Sequence, residues 1–419
     1  MMKRFSIIFL VMLAALAASC SKDVETEKKP AVDPWIYDET LPVPIQFGVS
    51  SFDVKVKSSF NDVYDLVGQR LGVLAIDADM DWVSEDGEKN NDIICLDDEI
   101  VTCSYDESKL RHMLKFDQPR YYPYQSLYNF SFFAYFKGDN DNAPVYEQDR
   151  VRLPIPEGVW GNQDLVYARA DADTLFVTYS NDINPTTNEP YGYVPAVRGE
   201  DATAFYTGYN ASYIRYIAKE KPSNGLDHSY QTHLPTLDFY HPSTNIKFLA
   251  VLDASNPTEM DVVPTIKAIG IKGEEIYLGA DFNIVHKDGA EEGLFDVSGY
   301  EKGQVNLRGE DGSIELSYVP SLEGTQLGDG FFFQPISANS PLTLVLTLDN
   351  GQTEETIEVP INTHVEFKAG HFYTYELRIY RSASLEVAVA SVSPWLDGWA
   401  DAGVTPDSIG GDDNPADGL

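Results

Sequence analysis

Four acidic residues carry the most metal-like spacing in the chain. Asp77, Asp79, Asp81 and Glu88 stand at positions 1, 3, 5 and 12 of a loop of the kind that wraps calcium with hard oxygen ligands. Trp82 holds the sixth position, where glycine permits the sharp turn, and the preceding Gly72–Ile76 run reads as strand. The expectation is therefore an acidic loop between strands and no metal. Asp139–Asn142 is a second acidic turn with a weaker spacing. In IICLDDEIVTC two apolar runs flank Asp97, Asp98 and Glu99, so a hairpin centred near Glu99 would set Cys95 opposite Cys103. The two cysteines then form either one disulfide or two quiet buried thiols. Nucleophile-elbow, phosphate-loop and HExxH patterns are missing from the sequence. The seven histidines include no pair at i, i+2 or i, i+4, and His241 and His364 read as satisfied strand residues. These patterns predict a protein that is not an enzyme and takes no cofactor.

The elements around these residues are short runs of aromatic and β-branched residues broken by Gly, Asn, Asp and Pro, the pattern of an all-β protein. Tyr128, Phe130, Phe132, Ala134 and Phe136 share one face of YNFSFFAYF, and Asn129, Ser131, Phe133 and Tyr135 the other. Leu342, Leu344, Leu346 and Leu348 alternate with Thr343, Val345 and Thr347, Asn350-Gly351 supplies a hairpin turn, and Glu354–Val359 returns. Tyr373, Tyr375, Leu377 and Ile379 alternate with Thr374, Glu376 and Arg378, and Leu385, Val387 and Val389 follow a short turn. One face of each is expected in the core and the other in solvent, and strands without βαβ spacing imply antiparallel sandwiches.

Between Ala168 and Leu237 the alternation weakens into a stretch rich in tyrosine, asparagine and proline, where the domain junction is expected. TGYNASYIRYIAKEK there predicts one short helix, with Tyr213, Tyr216 and Ile217 along one face. Tyr191, Tyr193, Tyr206, Tyr209, Tyr213 and Tyr216 either pack as part of a connection or form a ligand surface. The 419 residues suffice for two or three domains; 66 acidic against 30 basic side chains give a net charge of −36, which repels nucleic acid.

The N-terminus sets the expected address. Lys3 and Arg4, the apolar run Phe5–Ala17 and the small residues Ala17, Ala18 and Ser19 have the shape of a secretory signal peptide, too short to span a bilayer permanently. Cys20 directly after them resembles a bacterial lipobox, in which the thiol is acylated (palmitate) and becomes the new N-terminus. Leu16 stands one place further from Cys20 than the usual lipobox leucine. Ser21, Lys22, Asp23 and Glu25 resemble the signal that sends lipoproteins of the Bacteroidetes to the outer surface, so the chain is expected on the outer membrane. Residues 1–19 are then signal, 20–43 a flexible tether, 44–190 and 191–395 two β-sandwich domains with the tyrosine-rich segment opening the second, and 396–419 an acidic flexible tail.

With the strands placed, the order of short motifs from Ile45 to Trp395 resembles the fimbrillin family of Bacteroidetes, the type V pilins. IQFGVSSFDVKVKS is similar to the family's opening strand, VGQRLGVLAID to the next, YYPYQSLYNFSFFAYF to its aromatic strand, and QDLVYA at Gln163–Ala168 to the marker that closes the first domain. LDFYHPSTNIKFLAV resembles the strand opening the second domain, FFFQPIS a later one, and GHFYTYELRI with VSPW the last pair. The resemblance implies two tandem antiparallel transthyretin-like β-sandwiches and a surface lipoprotein whose first strand, Pro44–Val56, is removed by a protease. The groove so opened would accept a strand from another subunit, donated from Leu385–Trp395. Lys57 and Arg70 are the candidate cleavage residues: Lys55 and Lys57 stand where the family resembles itself in carrying arginine, and no arginine follows the signal until Arg70. The length of 171–235 also exceeds the family's usual junction. The expected function is a fimbrial subunit of shaft, tip or anchor type, with other fimbrial subunits, the outer membrane and a host or bacterial surface ligand as partners. The alternative is a non-polymerising surface lipoprotein that binds a glycan or protein through Tyr191–Tyr216.

Overall fold

Period-two alternation decides the most regular strands. In the hairpin of Leu342–Asp349 with Glu354–Ile361 the four leucines are buried while Thr343 and Thr347 are half-buried. The two strands pair from Leu342↔Ile361 to Asp349↔Glu354. Asn350-Gly351 makes the turn, with Gly351 at φ 83° and its amide donating to Asp349 Oδ1 at 2.7 Å. In His371–Ile379, Tyr373, Tyr375, Leu377 and Ile379 are buried and Arg378 is exposed, as alternation requires.

The computed structural model describes residues 33–49, 66–78, 80–106, 111–123, 128–170, 209–220, 234–252, 263–309, 311–361, 365–379 and 385–394. Its strands before the helix are β1 (Gly48–Val49), β2 (Arg70–Ile76), β3 (Ile94–Asp106), β4 (Arg111–Phe116), β5 (Ser131–Phe136), β6 (Val145–Tyr146), β7 (Arg150–Ile155) and β8 (Tyr167–Ala170). The helix is α1 (Ala211–Glu220). After it come β9 (Thr236–Leu237), β10 (Thr244–Leu252), β11 (Thr265–Tyr277), β12 (Ala280–His286), β13 (Phe295–Asp296) and β14 (Lys302–Asn306). The last six are β15 (Thr325–Gln326), β16 (Phe331–Phe333), β17 (Leu342–Asp349), β18 (Glu354–Ile361), β19 (His371–Ile379) and β20 (Leu385–Pro394).

The protein is all-β with mainly antiparallel sheets. One sheet has the order β4-β3-β2-β5-β8, a second β14-β11-β17-β18, and a third β15-β10-β19-β20 with β16 also on β10. A fourth, β13-β12-β7-β6, joins strands from before residue 190 to strands from after it, through the antiparallel register Ala280↔Ile155 to His286↔Arg150. Among the described residues the named strands that pair in parallel are β10 with β19 and β1 with β9. One buried cluster includes Leu74, Phe133 and Tyr135 of the first sheet, Val151 and Phe282 of the fourth, and Phe248, Ile271 and Leu344 of the others. The chain divides into units Met1–Leu41 and Pro42–Leu419. The described part of the first, 33–41, holds a 3-10 turn at Pro34–Ile36.

Two expectations are corrected. The aromatic strand does not have one wet face: every residue of β5 is buried, because Phe132 packs on Phe47, Tyr122 and Tyr209 on one face while Phe133 and Tyr135 enter the main core on the other. The Cys95–Cys103 hairpin is instead one 13-residue strand, β3, and its hairpin partner is β4. The acidic trio does not turn the chain, and each of its carboxylates pairs with a cation from outside β3. Asp97 pairs with Lys89 at 2.6 Å, Glu99 with Arg120 at 2.7 Å, and Asp98 with Lys137. Asp98 sits at φ 54°, where the register against β2 shifts, so the trio makes a bulge that re-aims these side chains.

That bulge closes over Gly72. A Cβ at Gly72 would lie 2.6 Å from the Tyr135 ring and 2.8 Å from Asp98 Oδ1, and Tyr135 Oη itself donates to that oxygen at 2.5 Å. Gly72→Ala is therefore expected to destabilise the fold by about 1–3 kcal/mol, read as a lower urea midpoint with unchanged slope.

Candidate functional site

Residues 43–47 read V-P-I-Q-F and behave as a strand lodged in a groove. Val43, Ile45 and Phe47 are buried while Pro44 and Gln46 between them are half-buried. On one side, Ile45 N donates to Arg120 O at 2.8 Å and Tyr122 N donates to Val43 O at 3.0 Å, with Pro44 opposite Tyr121 in an antiparallel bridge. Proline is tolerated there because the two hydrogen bonds of this pairing fall on its neighbours. On the other side, Gly48 and Val49 run parallel to Thr236 and Leu237.

Aromatic rings form part of the lining. Phe47 meets Phe132 edge-on, ring centroids 5.2 Å apart at 85°, and Phe116 at 5.6 Å and 46°. Phe132 is held in turn by Tyr122, 6.1 Å away at 89°, and by Tyr209 at 5.8 Å.

Each wall is positioned by polar contacts. Residues 120–122 follow β4 and belong to no strand; Glu99, carried by the bulge in β3, holds Arg120 Nη2 at 2.7 Å. Both side chains are partly exposed, so this pair orients the wall and adds little stability, about 0–1 kcal/mol. The opposite wall is pinned by buried Leu234, Leu237 and Phe239, and by the exchange of backbone hydrogen bonds between Tyr167 and Tyr240 at 3.0 and 2.9 Å. Just beyond, His241 Nδ1 lies 2.9 Å from Asp164 Oδ2, and Ser243 Oγ donates to Asp164 Oδ1 at 3.0 Å, all three residues buried. Tyr209 reaches the groove because its backbone exchanges hydrogen bonds with Phe130 at 2.8 Å each way. Asn210 then caps α1, its Oδ1 accepting from Tyr213 N at 2.8 Å.

The predicted site residues fare differently. Tyr209 and Tyr213 are buried in the core, so they cannot form the stacking surface considered for them: the cap of α1 turns them inward, with their rings 5.8 Å apart. Tyr191, Tyr193 and Tyr206 lie outside the described residues, as does the side chain of Tyr216. The helix itself forms where expected, and among its described side chains Ala211, Tyr213, Ile214 and Ala218 are buried; those of Tyr216 and Ile217 lie outside the described residues. Cys20, Lys57 and His364 also lie outside the described residues. Arg70 opens β2, its side chain exposed and its backbone opposite Thr102. His241 is buried beside Asp164, its Nδ1 2.9 Å from Asp164 Oδ2, in the connection between β9 and β10 and not in a strand. Of the calcium-like spacing, Asp77 is buried and accepts from Asn129 N at 3.0 Å, whereas exposed Asp81 pairs with Lys287 at 2.5 Å, so these two carboxylates serve separate contacts. Asp79 lies outside the described residues. Trp82 is fully buried and donates from Nε1 to Glu147 O at 2.7 Å.

Cys95 and Cys103 are free thiols, eight positions apart on one strand, which separates them by about 26 Å, far beyond disulfide reach. Desolvation pushes Cys95 up to about 12 and Cys103 up to about 11 from an ordinary 9.0. The folded chain holds these protons more tightly than the unfolded chain. Their contribution to stability is thus complete below pH 9.0 and is lost as pH rises through about 11 to 12. Cys95→Ser with Cys103→Ser is expected to lose less stability over that alkaline window than the parent, measured by urea unfolding at successive pH values.

Of the first-strand region 44–56 implied by the resemblance, 44–49 is described, with an isolated bridge at Pro44 and a strand at Gly48–Val49, and 50–56 lies outside the described residues; the walls around it were not foreseen. The signals were the apolar YYPY run at 121–124 and the pair of motifs holding Asp164 and His241, whose contact joins residues 77 positions apart.

No family model matches the chain, and no curated protein matches it. Among solved structures, a candidate cell-adhesion protein from Bacteroides uniformis superposes with a TM-score of 0.44 at 14% identity, covering 85% of this chain and 98% of its own. A fimbrial protein from Bacteroides vulgatus gives 0.42 at 14% identity, with 84% and 99% covered. A fimbrial assembly protein from Parabacteroides distasonis gives 0.36 at 9%, with 84% and 99% covered. The chain is similar to these structures at a level that leaves its fold family and function to be argued from its own residues.

Proposed function

We propose that the chain is a structural subunit of a surface fimbrium, exported as a lipoprotein acylated at Cys20 and built as two tandem transthyretin-like sandwiches. Residues 43–49 occupy the position of the first strand, and a strand from another subunit takes their place on assembly. The observation that carries this reading is the seating of Val43, Ile45 and Phe47. They bury three alternate side chains, while their backbone makes two hydrogen bonds to 120–122 and a two-residue pairing with β9 among the described residues. A strand bound mainly by alternate side chains in a groove is replaceable by any strand with the same alternation. β20 at the edge of its sheet is the donor segment in this reading, and the subunit performs no catalysis. The inward packing of Tyr209 and Tyr213 favours assembly over a tyrosine-lined ligand surface.

The test is the N-terminal sequence of the protein taken from the cell surface, together with a gel of the unheated material. A start after Lys57 or Arg70 with a ladder of polymers is expected. A uniform start at acylated Cys20 with monomer alone would remove the processed-subunit reading.

A further inference from the structure

We propose that the groove selects its incoming strand by an aromatic ring, and that it therefore takes a strand from a different subunit rather than the chain's own last strand. This deepens the strand-exchange reading and rests on it. The Phe47 socket is built from elements that cannot repack easily. Phe132 lies in β5 with Ala75 of β2 on one side and Ala170 of β8 on the other, and Phe116 closes β4 against Val101. Phe132 also meets Tyr122 edge-on and Tyr209 at a tilt of 58°, and the backbone of Tyr209 is tied to Phe130. A planar ring at the Phe47 position meets Phe132 edge-to-face and fills the space against Phe116. An aliphatic side chain in the same place leaves part of that rigid wall without contacts. Tyr122 joins this socket to the backbone clamp, since its amide donates to Val43 O while its ring supports Phe132.

The occupant is thus an extended segment reading aliphatic-x-aliphatic-x-aromatic, as Val43-Pro44-Ile45-Gln46-Phe47 does. The last strand reads LEVAVASVSPW from Leu385 to Trp395. Its aliphatic pairs, Leu385 with Val387 and Val387 with Val389, are followed two positions later by Val389 and Ser391, and its one ring, Trp395, stands two positions after Ser393. No register of this segment meets the pattern, so the subunit that donates to this groove has another sequence.

Fluorescent peptides with the sequences VPIQFGV, VPIQLGV and LEVAVASVSPW are incubated with the full chain just below its unfolding transition. Binding is read by anisotropy, and displacement of 43–49 by loss of amide protection there. The phenylalanine peptide is expected to bind about tenfold more tightly than the leucine peptide, with the LEVAVASVSPW peptide no better than leucine. In Phe132→Leu the preference for phenylalanine is expected to shrink to about threefold or less while the peptides still bind. Equal binding of the leucine or LEVAVASVSPW peptide overturns the aromatic rule alone, as does an undiminished preference in Phe132→Leu. If no peptide binds either the parent or a Phe47→Ala chain shown to be folded by circular dichroism, strand exchange itself is overturned, and the aromatic rule with it.

Discussion

Phe47→Ala is expected to lower the unfolding free energy by about 3–5 kcal/mol, the largest single effect anticipated in the groove. The ring is fully buried and touches Phe132 and Phe116, so truncation removes both its transfer from water and its edge-to-face contacts. The surrounding strands hold the socket open, which prevents collapse around the missing ring and leaves a cavity. Urea unfolding monitored by circular dichroism measures the loss. Hydrogen exchange separates its two parts: amides of 43–49 are expected to exchange far faster, while those of β2 and β5 follow only the global change. Uniform loss of protection across all strands would mean that the segment unfolds only with the whole molecule. Its removal could then not be a discrete maturation step.

Asp164→Ala is expected to cost about 3 kcal/mol for a different reason. The Asp164 side chain is completely buried, and it receives both the His241 ring nitrogen at 2.9 Å and the Ser243 hydroxyl at 3.0 Å. Removing it takes the acceptor from the buried Ser243 hydroxyl and opens a cavity beside the buried His241 ring, a larger penalty than the net worth of one hydrogen bond. Asp164→Asn, which keeps an acceptor for Ser243, is expected to cost less. In Asp164→Ala with His241→Ala the two effects are expected to fall short of their sum, because the two side chains are in direct contact. Strict additivity, measured by the same urea titrations, would show that the 2.9 Å approach carries no coupling. Since His241 lies four residues after Leu237, the same substitution is expected to loosen the β9 wall and speed exchange at 43–49.

Much of the strand content was legible because an amphipathic strand writes its period directly into the chain. The four leucines of β17, the Asn350-Gly351 turn and the tyrosines of β19 needed no tertiary information. β5 was harder. Its alternation suggested a solvent face, but a strand covered on both faces buries polar and apolar positions alike, and only the packing of distant segments on each face says which case applies. The acidic trio at 97–99 looked like a turn because carboxylates usually seek solvent. Lys89, Lys137 and Arg120, up to 39 positions away, supply the counter-charges that let them remain in a strand.

The sequence by itself determined that the chain is all-β and that a short helix stands within 207–221, which the described residues place at 211–220. These are local properties, set by period, turn chemistry and a capping asparagine. The tertiary structure decided what they are for. It placed Arg120–Tyr122 and Thr236–Leu237 on either side of Val43–Val49, and it set Phe116 and Phe132 around Phe47. It also spread Cys95 and Cys103 along one strand and turned Tyr209 and Tyr213 inward. A groove is made of residues distant in sequence, and its shape depends on register and packing, for which neighbouring residues carry no code.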